Sequence, residues 1–141
     1  MTVADDTITD VADQLFGAIE RGDREAVQRL WSEHIVVWKV ADADRDKDRA
    51  LRVIDWFIGA TTQRRYEILD RRLFDGGFVQ QHILHASGSN GGGAIAMRVC
   101  IVVKLDGDGL ISSIDEYFDP AEIAPAARVD EVTRRRHGKS E

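Results

Sequence analysis

Cys100 is the only cysteine in 141 residues. An intramolecular disulfide and a cysteine-rich metal site are therefore excluded, and a reducing compartment fits. Long apolar runs are also missing: no stretch reaches the roughly 18 residues a membrane helix needs. The opening MTVADDTITD has neither the basic start nor the apolar centre of a signal peptide. A soluble cytoplasmic protein with no membrane partner is the expectation. Positive charge is short as well, 19 Lys and Arg against 25 Asp and Glu for a net charge of −6, which disfavours nucleic acid as a partner. The arginines that cluster, Arg64-Arg65, Arg71-Arg72 and Arg134 to Arg136, form short groups among acids or in the tail, and read as solvated surface. Without repeats or a long linker, the chain is expected to form one domain over residues 7–127, after a flexible start over 1–6 and before a disordered charged tail over 128–141.

Hydrophobic spacing supplies the elements. Ile8, Val11, Leu15, Ala18 and Ile19 recur at helical intervals until Gly22 ends the pattern. Asp23 then caps a short second helix whose Ala26, Val27, Leu30 and Trp31 share a face. HIVVWKV, 34–40, is β-branched and aromatic, hence a strand, with Val36, Trp38 and Val40 expected inward and Lys39 away. Ala50, Leu51, Ile54, Phe57 and Ile58 mark a third helix, capped by Asp46 or Asp48. From Arg64 onward the chain reads as a meander: RRYEILDRRLF, a DGG turn, FVQQHILHAS, an SNGGG hairpin, AIAMRVCIVVKL, a DGDG turn and LISSIDEYFD. The expected class is α+β, three helices packed on one face of a curved antiparallel sheet.

The sheet's inner face can be read from alternation. Ile95, Met97, Val99, Ile101, Val103 and Leu105 are all apolar, so odd positions face the core there, with Cys100 outward. In the last strand the even set, Leu110, Ser112, Ile114, Glu116 and Phe118, faces inward if Leu105 pairs with Leu110. Glu116 then lies beside Val99. In FVQQHILHAS the two histidines are three residues apart and must point to opposite faces. A hairpin centred near Asn90 to Gly91 selects Phe78, Gln80, His82, Leu84 and Ala86 for the core. A slip of one residue selects Val79, Gln81, Ile83 and His85. The first register puts His82 beside Val99, in one row with Glu116 and roughly 10 Å from it.

The helix-rich first half, VVW on the first strand, QHIL on the third and above all DGDGLISSIDEYFDPAEI resemble the SnoaL-like branch of the nuclear transport factor 2-like superfamily, over about residues 7–125. That superfamily includes ketosteroid isomerases, limonene-epoxide hydrolases, scytalone dehydratase and polyketide cyclases. The resemblance implies a cone-shaped α+β barrel, a sheet wrapped round an apolar pocket, and a homodimer through the outer sheet face. Family positions transfer unevenly. The isomerases' oxyanion tyrosine, general-base aspartate and second oxyanion acid fall near Leu15, near Lys39 or Val40, and near Ile101, so all three are missing. The epoxide hydrolases' last aspartate falls on Glu116, while their preceding arginine and aspartate fall on Ile83 and His85, or on Gln80 and His82 if the hairpin absorbs three residues. Glu116 also matches the acid/base aspartate of the polyketide cyclases.

The candidate chemistry is an acid/base pair, His82 and Glu116. A carboxyl on an apolar face is desolvated, which raises its pKa and suits a general acid, while His82 is either the base or the holder of a substrate carbonyl or water. Gln80, Trp38, Tyr66, Trp56, Val99, Met97 and Phe118 are the expected binding wall. The bland alternative makes Gln80, His82 and Glu116 satisfied core polar residues. DADRDKD has the alternating acids of a calcium loop but Lys47 where its glycine belongs and Val53 where its last glutamate belongs. SNGGG precedes no helix and so is no phosphate cradle. No histidine pair has the spacing of a zinc site, so neither metal nor cofactor is expected. Two functions remain, a small-molecule enzyme acting on a hydrophobic, oxygen-bearing substrate and a non-catalytic binding or dimeric interaction module of the same fold.

Overall fold

The computed structural model describes residues 3–124, so the expected charged tail lies outside the described residues. Helix α1 spans Asp5–Arg21, earlier than expected: Asp5 and Asp6, assigned to a flexible start, form its first turn. Their carboxylates there meet the positive end of the helix dipole. Gly22 ends the helix at φ 71°, a left-handed conformation that glycine adopts without strain. Helix α2 (Arg24–Leu30) is capped by Asp23, whose side chain accepts from Ala26 N at 3.1 Å. Strand β1 follows at once (Trp31–Lys39), so Trp31 belongs to the sheet and not to the helix. Helix α3 (Lys47–Ala60) is capped by Asp46, which accepts from Arg49 N at 3.0 Å. Then come β2 (Thr61–Phe74), β3 (Gly77–Gly88), β4 (Ala94–Leu105), β5 (Ile111–Tyr117) and a 3₁₀ turn, Pro120–Ile123.

The strands form one five-stranded sheet in the order β1-β5-β4-β3-β2. Every neighbouring pair is antiparallel except β1 and β5, which are parallel. The expected α+β class with helices on a curved, mainly antiparallel sheet holds, and the β1–β5 pair makes that sheet mixed. A parallel pair needs a long crossover, and everything from α3 to β4 supplies it. Ile8, Leu15, Phe16 and Ile19 of α1 and Leu51, Ile54 and Phe57 of α3 bury against Phe78, Leu84, Met97, Val99, Ile101 and Val103 of the sheet. Among the described residues no helix is long and apolar enough to cross a membrane.

Register decides what faces the core. His82 pairs with Val99, so the first of the two β3 registers holds: Phe78, Gln80, His82, Leu84 and Ala86 are all buried. At β5 a bulge intervenes, and Leu105 pairs with Ile111, not Leu110. Glu116 therefore lies opposite Ile101 and not Val99. The inward face survives because the displacement is two residues. The row across the sheet is Gln80, Ile101, Glu116 and Lys39, with His82 one inward position away from it.

Strand β1 reverses the expectation. Ile35 and Val37 are buried while Val36 is exposed, and Lys39 faces inward beside Glu116. Trp38 is outside, its ring 5.1 Å from that of Tyr117. HIVVWKV carries apolar side chains on both faces, so its alternation cannot choose between them.

Candidate functional site

Two adjoining cavities lie between the sheet and the helices. The outer one, ≈ 160 Å³, is lined by Lys39, Trp56, Phe57, Tyr66, Glu116 and Phe118 among others. The inner one, ≈ 50 Å³, reaches Trp31, His82, Val99 and Ile101. Tyr66, Met97 and Glu116 border both. The structure thus brings together His82, Glu116, Tyr66, Trp56, Val99, Met97 and Phe118 of the expected set. It removes Trp38 from the wall, since that ring is on the outer sheet face. Gln80 is fully buried behind His82 and borders neither cavity. His85 is the bystander on the outer face, 2.8 Å from Glu67. A larger groove, ≈ 460 Å³, opens between α2 and the start of β1, but its Arg24 pairs with Gln28 and its Lys47 with Glu33, and it includes none of the acid/base candidates.

Glu116 is expected on a mostly apolar face and desolvated there. Its side chain instead keeps 21% of its exposure and faces the Lys39 ammonium at 3.9 Å. That separation is an ion pair without a good hydrogen bond, which leaves both groups free to take a ligand.

His82 is 3% exposed and sits among aromatic rings, 5.4 Å from Phe16 and 4.9 Å from Tyr66, edge to face in both cases. Gln80 Nε2 lies 2.8 Å from its Nδ1, and Gln80 Oε1 accepts from Arg71 Nε at 2.7 Å. Arg71 in turn donates to Asp13 Oδ1 at 2.8 Å. Burial first, and the Arg71 guanidinium second, lower the imidazole pKa to about 4. At neutral pH His82 is therefore an uncharged donor and acceptor. Tyr66 is likewise kept as a neutral phenol, its pKa raised by burial and by the carboxylates of Glu116 and Glu20.

The lowered His82 pKa has a consequence for stability. In the unfolded chain an imidazole protonates near its ordinary value, about 6.5, whereas the folded state resists the proton until about 4. Stability is thus intact above pH 6.5 and falls as pH drops through that window. Over the whole window the loss is on the order of 3 kcal/mol. Urea melts of wild type and His82→Leu between pH 7 and 4 check this: the variant should lack that part of the acid sensitivity, and parallel curves would contradict it.

Sequence reasoning missed three site residues. Lys39 was aimed outward. Trp31 was placed on a helix, yet it borders the inner cavity with an indole N–H that has no partner among the described residues. Arg71 was grouped with solvated arginines. One member of each arginine pair in fact turns inward: Arg64 donates to Ile19 O and Thr61 O at 2.9 and 2.6 Å, while Arg71 reaches Gln80. Strand alternation was the available signal, and a bulge between Ile68 and Asp70 obscured it.

Comparison with known proteins agrees with this architecture. A model of the SnoaL-like domain matches residues 12–114. No curated protein matches the chain by sequence. Among solved structures, PrhC from Penicillium brasilianum aligns over 92% of this chain and 91% of its own, with TM-score 0.78 and 14% identity. An epoxide hydrolase of the limonene-epoxide hydrolase type from M. tuberculosis gives TM-score 0.71 at 17% identity, covering 92% of this chain and 97% of its own. The Δ5-3-ketosteroid isomerase from Mycobacterium sp. gives 0.72 at 19%, covering 82% and 95%. Identities this low establish the shared fold only.

Proposed function

This chain belongs to the SnoaL-like family of the nuclear transport factor 2-like superfamily, and we propose that it is a cofactor-independent enzyme that moves a proton on a small, largely apolar carbonyl compound. The observation that carries this is the convergence of one carboxylate, Glu116, and two neutral donors, His82 and Tyr66, on the same inner cavity. His82 Nε2–H and the Tyr66 hydroxyl hold the substrate oxygen and stabilise the negative charge it gains. Glu116 takes the proton from the adjacent carbon and returns it elsewhere, with the Lys39 ammonium 3.9 Å from its carboxylate. Of the two roles open to His82, carbonyl holder fits better than base, because Nδ1 is occupied by Gln80. Isomerisation, dehydration and aldol-type cyclisation all follow this course.

Cavity size narrows the substrate. The outer chamber, ≈ 160 Å³, is close to the roughly 150 Å³ cavity that holds benzene. A single ring fits, whereas a tetracyclic skeleton needs the mouth to open. A thermal-shift and turnover screen of monocyclic ketones and β-hydroxy ketones, terpenoid epoxides, steroids and aromatic polyketides tests the reading. Turnover of a carbonyl compound that depends on Glu116 supports it. Stabilisation by a ligand with no turnover of any would favour the non-catalytic binding module instead.

A second copy of the chain is the partner we propose for the outer sheet face, as the family resemblance implies. Trp38 and exposed Tyr117 pack together there with their rings tilted by 58°, beside partly exposed Val102 and Cys100 of the neighbouring β4. Tyr117→Arg is expected to convert a dimer to a folded monomer in sedimentation equilibrium. A wild type that is monomeric at high micromolar concentration would refute the dimer.

A further inference from the structure

We propose that Arg71, acting through Gln80, fixes His82 as the Nε2–H tautomer and so is a positioning residue for the cavity donor. This rests on the role given to His82 above, although the test does not. The argument is one of donor and acceptor types. An arginine Nε–H can only donate, so the Gln80 atom 2.7 Å from it must be the amide oxygen. The Gln80 NH₂ is then the group 2.8 Å from His82 Nδ1. It too can only donate, so Nδ1 must offer its lone pair. A neutral imidazole with a bare Nδ1 carries its proton on Nε2. That nitrogen has no protein partner among the described residues, and His82 borders the inner cavity. Protonating the ring would set Nδ1–H against an amide N–H, so the same chain opposes the imidazolium.

Arg71 is itself built into place. Its side chain is 14% exposed, anchored at the surface by Asp13, which is 63% exposed. Its guanidinium lies 6.0 Å from the Phe16 ring centroid and 5.8 Å from that of Phe78. Its Nη2 is buried with no partner among the described residues. A largely buried cation with an unmet donor is a poor choice for stability alone. An apolar side chain would fill that space at lower cost. The charged groups around His82 are Arg71 from β2, with Asp13 of α1 behind it, and Glu116 from β5 across the cavity.

Tautomers are read directly by long-range ¹H–¹⁵N spectra of histidine-labelled protein at pH 7, without any substrate. The chain has four histidines, and His82→Phe assigns the signals. In the wild type His82 should show one pyrrole-like nitrogen, Nε2, and one pyridine-like nitrogen, Nδ1. In Arg71→Met the amide is free to turn, and both nitrogens should move toward the averaged shifts of exchanging tautomers. Arg71→Lys, which can still donate to Gln80, should restore the wild-type pattern. Gln80→Glu should reverse it, since a carboxylate accepts and draws the proton to Nδ1. A wild type with Nδ1 protonated overturns the proposal. So does a wild-type pattern in Arg71→Met, or in Gln80→Glu if Arg71→Met does not fold. A correct tautomer pattern in a protein that turns over nothing would leave this inference standing and defeat only the proposed activity.

Discussion

Glu116→Gln should lower turnover by a factor of about 10² to 10⁴, the usual range for removal of a general acid or base, with little change in ligand affinity or melting temperature. The substitution keeps shape and hydrogen-bonding capacity and removes only the basic oxygen. Stability should change little because neither member of the 3.9 Å ion pair is deeply buried, Lys39 keeping 24% and Glu116 21% of its exposure. Such a pair is worth at most about 1 kcal/mol, and the lysine left behind can be solvated. The signature is therefore a fall in kcat at nearly constant KM, which marks an interaction used in the transition state more than in binding. Steady-state kinetics on whichever carbonyl compound the screen yields, with melts of both proteins, make the check. A kcat within about threefold of wild type would remove Glu116 from the reaction and with it the proposed proton transfer.

How far this site could be read beforehand depended on the range of the pairings that build it. In β4 the core-facing residues are apolar without exception, and the hairpin to β3 is local, so the neighbour of His82 was legible and the structure has it opposite Val99. The final strand was legible in face but not in register. The turn, which pairs Leu105 with Ile111, and the bulge between Leu105 and Lys104 each add one residue that alternation does not reveal, and together they slide Glu116 to Ile101, out of the row of His82. Strand β1 failed for a different reason. Its partner is β5, 80 residues later in the chain (Trp31 opposite Ile111) and parallel to it. Apolar residues on both of its faces left nothing local to orient it, so Lys39 and Trp38 were exchanged. In β2 the inward set shifts from Arg64 and Tyr66 to Arg71 and Leu73 across a bulge. A pattern that changes phase in mid-strand looks like no pattern, and Arg71 passed for surface.

The largest loss of stability is expected from Phe78→Ala, about 3 to 5 kcal/mol, typical of deleting a buried aromatic side chain. Phe78 has no exposure, pairs with Leu73 and Val103 on the sheet, and meets Phe16 of α1 edge to face with centroids 6.2 Å apart. Its removal takes away transfer energy, a contact between helix and sheet worth about 1 kcal/mol, and leaves a void the sheet cannot close. For a domain of 141 residues the melting temperature should fall by roughly 10 to 20 °C. Phe78→Leu, which leaves a smaller void, should cost far less by urea denaturation. The comparison matters for the site because the Arg71 guanidinium rests 5.8 Å from this ring. With the ring gone the arginine keeps Asp13 but only Phe16 of its two ring neighbours, and its hydrogen bond to Gln80 should loosen along with the His82 tautomer. If Phe78→Ala lost less than about 1.5 kcal/mol, the core around the polar chain would be too soft to hold an imidazole in one protonation state, and Arg71 could not position anything.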